Sequence, residues 1–198
     1  MSADDASRWD ARYADAELAE PSPPDALVAA DRSETDRTRK ATLLDLVPVA
    51  GRALDVACGA GAQTAWLAAR GLEVVALDAS PVAIDLTART ADAAGVRSRV
   101  EARVVDLDLG IPTDLGTFDV IVCQRFRAVD LYDSFVERLR PGGLAVVTVL
   151  SRTGADHPGA FHAPSGELRT AFTRPDTDVL FHQETAGQES VVLRRHPT

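Results

Sequence analysis

The chain of 198 residues has little cysteine, with Cys58 and Cys123 as its two examples. So few cysteines exclude the disulfide-rich class of small secreted domains, and we expect both thiols to be reduced. The chain also lacks an apolar run as long as a membrane-spanning helix, and it lacks a charged-then-apolar secretory leader. We therefore expect a cytoplasmic protein that contacts no membrane.

Basic patches are missing as well. The formal net charge is −9 at pH 7, and no basic run with interleaved aromatic residues occurs. A negatively charged protein has no general affinity for phosphate backbones, so a nucleic-acid substrate is disfavoured. The histidines show no ligand spacing on one helix, so no metal site is expected. They are His157, His162, His182 and His196.

What the chain does contain is a glycine turn between an apolar strand and a helix. Residues 53–64 read Ala-Leu-Asp-Val-Ala-Cys-Gly-Ala-Gly-Ala-Gln-Thr. Gly59 and Gly61 have no Cβ, so a ligand can approach the backbone closely. The helix that follows offers N–H groups and the positive end of its dipole to a polar ligand. Such a turn is weak evidence alone, and it becomes strong when later features follow at the right intervals.

Three further apolar strands do follow, and the first two end on an acid. The first closes on Asp78, at about the interval where α/β folds place the carboxylate that binds ribose hydroxyls. The second closes on Asp106, and the third covers residues 118–124, ahead of a helix and Leu-Arg-Pro-Gly-Gly at 139–143. Strands and helices that alternate in this way predict a doubly wound parallel sheet.

These motifs, in this order, resemble those of class I S-adenosylmethionine-dependent methyltransferases. The resemblance covers residues 40–150 and rests on the glycine turn, on Ala-Leu-Asp-Ala-Ser at 76–80, Val-Val-Asp-Leu at 104–107, Phe-Asp-Val-Ile-Val at 118–122 and Leu-Arg-Pro-Gly-Gly. It implies an α/β fold: a Rossmann-like, doubly wound, mostly parallel seven-stranded sheet with a short N-terminal helical cap. The last strand is expected to be antiparallel and to form the edge of that sheet.

The patterns also predict where the elements lie. Strands are expected at 52–57, 72–77, 100–106, 118–123 and 143–150, with a final hairpin of 178–183 and 189–194. Helices are expected at 4–18, 26–47 with an interruption near Ser33, 61–70, 81–94, 130–139 and 165–172. We expect one domain over 1–198, made of a cap helix and proline-rich linker (1–24), a cofactor-binding core (25–150) and a substrate-side loop and hairpin (151–198).

The resemblance implies S-adenosylmethionine as the cofactor and assigns its contacts by position. Gly59 and Gly61 would make room for the methionine part, and Asp78 would bind the ribose. The full set of implied cofactor-binding positions is Trp9, Tyr13, Asp55, Ala57, Cys58, Gly59, Gly61, Asp78, Ala79, Ser80, Asp106, Leu107, Cys123 and Gln124. Plainer interpretations stay open, because Asp78 and Asp106 could merely end strands at a solvated rim and Asp55 could be a structural acid.

A second resemblance lies at the start of the chain. Ser-Arg-Trp-Asp-Ala-Arg-Tyr at 7–13, followed by the proline cluster at 21–24, is similar to the opening of small bacterial methyltransferases related to the tellurite-resistance group. In these relatives the first helix covers the cofactor cleft as a lid, so Trp9 and Tyr13 would close the methionine end. The alternative is that both aromatic side chains only attach a helix to the core.

No residue stands out as catalytic. Methyl transfer needs mainly alignment of the acceptor and exclusion of water. Weak candidates at the carboxyl ends of the strands are His157 and His162 as a base, and Arg125 with its neighbours as a clamp for an anionic acceptor. Exposed loop histidines and solvated arginines are the plainer interpretation.

We therefore expect a methyltransferase that acts on a small-molecule acceptor through an O, N or S nucleophile. One alternative is a non-catalytic protein that binds S-adenosylmethionine or S-adenosylhomocysteine. The other is a nicotinamide-dependent oxidoreductase, which is disfavoured because Thr64 stands at the third glycine position of a dinucleotide-binding turn.

Overall fold

The fold is that of a computed structural model, which describes residues 9–33 and 42–197. The helices are α1, whose described part covers residues 9–13, α2 (Asp25–Ser33), α3 (Ala62–Ala69), α4 (Pro81–Ala93), α5 (Tyr132–Arg138) and α6 (Glu167–Phe172). The strands are β1 (Arg52–Val56), β2 (Glu73–Asp78), β3 (Val100–Val104), β4 (Phe118–Gln124), β5 (Leu139–Leu150), β6 (Thr177–Thr185) and β7 (Gln188–Arg195). Short 3-10 helices lie at Leu44–Leu46, Arg97–Arg99, Leu107–Leu109, Thr113–Leu115 and Val129–Leu131.

The seven strands form one sheet in the order β3-β2-β1-β4-β5-β7-β6. Strands β1, β2 and β3 pair in parallel, whereas β7 pairs antiparallel with both β5 and β6. The predicted α/β fold class is confirmed.

One predicted detail of the sheet is wrong. The last strand, β7, lies between β5 and β6, so the edge is formed by β6. Val191, Val192 and Leu193 in β7 are consecutive and fully buried, which suits a strand with neighbours on both sides. The β6 strand instead exposes Asp178 and Gln183, and charged or polar side chains are typical of an edge.

The chain divides into two compact units. Among the described residues, the first unit comprises 9–23 and 48–118, and it contains α1, α3, α4 and strands β1 to β3. Its core includes Leu54, Leu67 and Leu77, all fully buried. The second unit comprises 24–33, 42–47 and 119–197. The expectation that the whole chain is a single domain stays a prediction.

The first helix is shorter than predicted where the structure describes it. Helical geometry ends at residue 13, and the predicted part before residue 9 lies outside the described residues. Beyond the helix, the N–H of Ala19 donates to the hydroxyl of Thr90 in α4 at 3.3 Å. This N–H therefore bonds to another helix and does not extend α1. The predicted 26–47 helix is observed as α2 and a separate 3-10 turn, and its part at 34–41 lies outside the described residues.

Strand β5 begins at Leu139, earlier than the predicted residue 143. The Pro-Gly-Gly segment is therefore part of the strand. A Cβ on Gly143 would lie 2.9 Å from the carbonyl oxygen of Arg140 and 3.1 Å from that of Asp119, so glycine permits a close backbone approach there. Of the helices that the structure describes, none combines the length and the apolar character needed to cross a membrane.

Candidate functional site

The turn after β1 contains three residues with positive φ. These are Ala57 (+57°), Gly59 (+55°) and Gly61 (+82°). Two backbone hydrogen bonds of 3.0 Å hold the turn: Cys58 N–H donates to the carbonyl of Leu77, and Gly61 N–H donates to that of Cys58. The turn is thereby fixed beside β2. Ala57 adopts this conformation without the freedom of glycine, and that costs on the order of 1 kcal/mol.

The two glycines of the turn face different neighbours. A Cβ on Gly59 would lie 2.7 Å from the hydroxyl oxygen of Tyr13, so Gly59 lets a side chain of α1 reach the turn. A Cβ on Gly61 would lie 2.9 Å from the Cα of Thr87, so Gly61 lets α4 pack against the turn. Helix packing alone accounts for Gly61, and the expected ligand contact at that glycine stays a prediction.

Thr87 is a residue of this site that the sequence reasoning missed. It is fully buried in α4, and its hydroxyl donates to the carbonyl oxygen of Gly59 at 2.9 Å. The sulfur of Cys58 lies 3.4 Å from the same hydroxyl, and burial raises the pKa of the Cys58 thiol well above its ordinary value. A threonine in the middle of a helix carries no local signal for such a role.

Asp78, at the end of β2, lies against the glycine turn. It is 8% exposed, and its two carboxylate oxygens accept from the N–H groups of Gly59 and Ser80, each at 3.0 Å. Burial raises the pKa of Asp78, and these backbone hydrogen bonds partly oppose that shift. Each oxygen keeps further acceptor capacity. A buried carboxylate in this position can accept hydrogen bonds from vicinal hydroxyl groups.

Asp55, in β1, connects the strand to α3. Its carboxylate accepts from the hydroxyl of Thr64 at 2.6 Å, and both side chains are buried. Burial raises the pKa of Asp55 to about 7, although the hydrogen bond from Thr64 lowers it. This geometry agrees with an acid that orders the turn.

Helix α1 packs on the same turn. The rings of Trp9 and Tyr13 are stacked with centroids 6.2 Å apart. Burial raises the pKa of Tyr13 to about 12, and the negative charge of Asp78 adds to that effect. Asp10, which the sequence reasoning did not single out, accepts from the hydroxyl of Ser80 at 2.5 Å. The place of Asp10 between Trp9 and Tyr13, in the segment at 7–13 that resembles known methyltransferases, was the sequence signal that could have identified it.

The remaining predicted positions of the first unit lie at the same strand ends. Ala79 and Ser80 follow Asp78 directly, and Ser80 caps α4 by accepting from Ala83 N–H at 3.1 Å. Asp106, predicted as the last residue of its strand, lies two residues beyond the observed end of β3 and caps the Leu107–Leu109 turn by accepting from Asp108 N–H at 3.0 Å. The structure thus brings the predicted residues of β1, β2, β3 and α1 together.

In the second unit, the end of β4 is tied by hydrogen bonds to the backbone. The amide nitrogen of Gln124 donates to the carbonyls of Cys123 and Val146 at 3.0 and 3.1 Å. Arg125 follows with a φ of +59° and is exposed, with Asp25 at 3.6 Å. Positive φ at a non-glycine residue marks a strained position.

The histidine candidates differ in their surroundings. His157 is exposed in the loop after β5. The Nδ1 atom of His162 accepts from the N–H of Gly159 at 2.9 Å. In the neutral tautomer that this bond selects, Nε2 carries the proton, so neither ring nitrogen offers an open lone pair to a substrate. The geometry gives His162 no support as a base.

Arg127 is held by an ion pair. It donates to both carboxylate oxygens of Glu167 at 2.6 to 3.1 Å, and the hydroxyl of Tyr132 donates to Glu167 at 3.1 Å. An anionic acceptor would have to compete with Glu167 for this arginine. Within 9–33 and 42–197, no group of three or more His, Cys, Asp or Glu side chains is placed to hold a metal ion.

The family model described as "Methyltransferase domain" matches residues 53–143. Ribosomal RNA small subunit methyltransferase C of Chromohalobacter salexigens is 35% identical over 128 residues, which are 57% of this chain and 36% of that protein. The mitochondrial ubiquinone biosynthesis O-methyltransferase of Schizosaccharomyces pombe is 33% identical over 107 residues, 50% of this chain and 38% of that protein. The chain thus spans little more than a third of these relatives.

Comparison with solved structures shows a shared fold. TehB from Haemophilus influenzae superposes with a TM-score of 0.63 at 18% identity, covering 84% of this chain and 66% of TehB. The structure titled "Conversion of a Disulfide Bond into a Thioacetal Group during Echinomycin Biosynthesis" has a TM-score of 0.66 at 22% identity, covering 96% and 93%. The [4+2]-cyclase SpnF has a TM-score of 0.62 at 15% identity, covering 92% of this chain and all of SpnF.

The methyltransferase family model spans β1 to the Pro-Gly-Gly segment, the same stretch that carries the glycine turn, Asp78 and Asp106. The fold, the strand order and this match agree with the resemblance stated from the sequence, which is confirmed. Residues 53–143 thus match a methyltransferase domain, and the solved structures share the fold of the chain.

Proposed function

We propose that this protein is a cytoplasmic enzyme that binds S-adenosylmethionine and methylates a small-molecule acceptor. The observation that carries the proposal is the buried carboxylate of Asp78 beside a turn where Gly59 has no Cβ, inside the part of the chain that matches the family model. The residues fit the cofactor, because a carboxylate suits ribose hydroxyls and the acidic surroundings suit a cation.

The other cofactor roles are proposed by position. Asp106 and the backbone of Leu107 would meet the adenine, and Trp9 and Tyr13 would cover the methionine end. The position of Tyr13 supports its role at the methionine end, because its hydroxyl oxygen lies where a Cβ on Gly59 would project. Ala79 and Ser80 would lie beside the adenosine, with Cys123 and Gln124 at the end of β4 beneath the sulfonium.

Bound S-adenosylmethionine would supply an activated methyl group, whose carbon–sulfur bond would break, leaving its electrons on sulfur, as the acceptor's lone pair bonded to the methyl carbon. The chain's own residues would align the acceptor and exclude water. A proton on the acceptor would leave to solvent, since Nδ1 of His162 already accepts a hydrogen bond from Gly159 and His157 is exposed. We therefore assign no general base.

A small molecule is the proposed class of acceptor. One relative is a ribosomal RNA methyltransferase and another is a ubiquinone biosynthesis O-methyltransferase, so the relatives do not agree on a class. The net charge of −9 disfavours a large polyanion. The second candidate is a protein that uses the cofactor-binding fold for another reaction, because a [4+2]-cyclase shares this fold.

Titration calorimetry with S-adenosylmethionine, S-adenosylhomocysteine, NAD and NADP tests the proposed cofactor. We expect binding of the first two only. Affinity for a nicotinamide alone would end the methyltransferase proposal. Incubation of the protein with methyl-labelled cofactor and a panel of small O, N and S nucleophiles then tests transfer. Binding without transfer to any of them would favour the second candidate.

Asp78→Asn tests the ribose assignment. The amide keeps one acceptor oxygen for the local backbone N–H groups but removes the charge and one acceptor. We expect cofactor binding to weaken by about 2–4 kcal/mol, as when charged hydrogen bonds are left unmade. Asp92→Asn, an exposed acid on α4, is the matched control and should bind normally. Unchanged affinity in a folded Asp78→Asn protein would place the ribose elsewhere.

A further inference from the structure

Two carboxylates meet on Ser80. Its N–H donates to the carboxylate of Asp78 at 3.0 Å, and its hydroxyl donates to the carboxylate of Asp10 at 2.5 Å. Asp78 belongs to β2, whereas Asp10 belongs to α1, 70 residues away along the chain. The contact between α1 and the cofactor turn therefore brings a second negative charge to the residue next to Asp78.

The Ser80 hydroxyl is a specific anchor for α1. Ser80 is fully buried, and its oxygen also accepts from Ala83 N–H at 3.1 Å, so the hydroxyl proton is directed to Asp10. Tyr13, one turn further along α1, places its hydroxyl against Gly59. Helix α1 is thus attached at two points, one polar and one close-packed, on either side of Asp78.

This arrangement is electrostatically unfavourable when no cation is present. The pKa of Asp78 is raised by burial first, and Asp10 raises it further. Tyr13 supplies no positive charge, and its own pKa of about 12 reflects burial and the charge of Asp78. The one described cation on α1 is Arg12, which is exposed and lies over the ring of Trp9 at 5.3 Å.

We propose that Asp10 makes α1 close more tightly over the cationic cofactor than over its neutral product. The proposal rests on the proposed function, and it assigns Asp10 a part in cofactor specificity. S-adenosylmethionine carries one positive charge more than S-adenosylhomocysteine. A cation in the site offsets the repulsion between Asp10 and Asp78, and a neutral thioether does not.

Thermodynamic linkage couples closure of α1 to ligand charge. If closure of α1 favours binding of the cationic ligand, the cationic ligand favours closure by the same factor. Loss of the positive charge on methyl transfer then weakens closure, and α1 opens to release the product. The Asp10–Ser80 hydrogen bond holds α1 in the closed position, and the charge of Asp10 makes closure depend on the charge of the ligand.

Calorimetry on Asp10→Asn tests the role of charge. Asparagine keeps an oxygen that accepts from Ser80 but removes the negative charge. We expect affinity for S-adenosylmethionine to fall about five- to tenfold, the effect of one unit charge in half-buried surroundings, with less than about a twofold change for S-adenosylhomocysteine. Asp85→Asn, at an exposed position of α4, removes the same charge and should change neither affinity.

Hydrogen exchange of the backbone amides at residues 9–13 gives a second measurement. In the wild-type protein we expect stronger protection with saturating S-adenosylmethionine than with saturating S-adenosylhomocysteine. In Asp10→Asn the two ligands should protect equally. This comparison in the wild type stands by itself if the variant fails to fold.

Two outcomes would overturn the inference. One is an equal loss of affinity for both ligands in Asp10→Asn, which would assign Asp10 to packing alone. The other is equal protection of residues 9–13 by both ligands in the wild type. Failure of the wild-type protein to bind either ligand would instead overturn the proposed function, so the two failures are distinguishable.

Discussion

Burial of Asp55 is expected to make the stability of this protein depend on pH. Burial raises the pKa of Asp55 from an ordinary value of 3.8 to about 7, against the opposing effect of its hydrogen bond from Thr64. Between about pH 4 and pH 7, the folded state therefore keeps a proton that the unfolded chain has released. The stability that this proton contributes is fully present below pH 3.8, and it is lost as the pH rises through the folded-state pKa of about 7.

The size of this effect follows from proton linkage. Each tenfold difference in proton affinity is worth about 1.4 kcal/mol, so the full difference between 3.8 and about 7 amounts to about 4 kcal/mol. Proteins tend to be most stable between about pH 5 and pH 8, and across that window the loss from Asp55 is about 2.5 kcal/mol. Asp78, whose pKa is also raised, adds a loss of the same sign.

Asp55→Asn removes this titration and keeps an oxygen that accepts from the hydroxyl of Thr64. We expect the free energy of unfolding of the variant to fall about 2.5 kcal/mol less than that of the wild type between pH 5 and pH 8. The measurement is urea unfolding at half-unit pH steps, followed by far-UV circular dichroism. Asp92→Asn should keep the wild-type slope, because Asp92 is exposed.

The slope, rather than the absolute stability, decides this prediction. A poorly oriented amide at position 55 would lower stability by the same amount at every pH, and the slope would be unaffected. Parallel curves for the wild type and Asp55→Asn would refute the reasoning, because Asp55 would then be ionised in both states.

Three further predictions concern the glycine turn, and urea unfolding measures all three. Ala57→Gly should stabilise the fold by about 1 kcal/mol because it relieves a left-handed conformation, and a destabilised variant would contradict this. Gly61→Ala should cost about 2 kcal/mol or more, since the new Cβ meets the backbone of Thr87. Gly59→Ala should cost less stability, because the atom that its new Cβ meets is the hydroxyl oxygen of Tyr13. Adding Tyr13→Phe to Gly59→Ala removes that oxygen and should recover part of the loss. No recovery in the double variant would argue against that contact.

Much of the fold could be predicted because its signals are local. The strand β1, its glycine turn and α3 occupy adjacent residues, and each has its own pattern of apolar or glycine positions. Asp78 is the last residue of β2, as expected, and Asp106 follows the end of β3 by two residues. Buried strands with apolar residues in a row can be recognised without knowledge of their partners.

The position of β7 was not predictable in the same way. Both strands of the final hairpin were expected from the break at Ala186–Gly187, but which of them forms the edge depends on pairing with β5. That pairing joins residues 38 to 50 positions apart, such as Leu144 and Arg194. Local alternation of side chains does not encode such a choice.

The same distinction applies to the site. The sequence by itself determined that a glycine turn, an acid at the end of β2 and an acid after β3 lie at the same ends of parallel strands. Only the tertiary structure decided that Thr87 fills the side of Gly61 and that Asp10 bonds to Ser80. These contacts join residues 26 and 70 positions apart, and they arise from the packing of α4 and α1 on the turn, which no local pattern specifies.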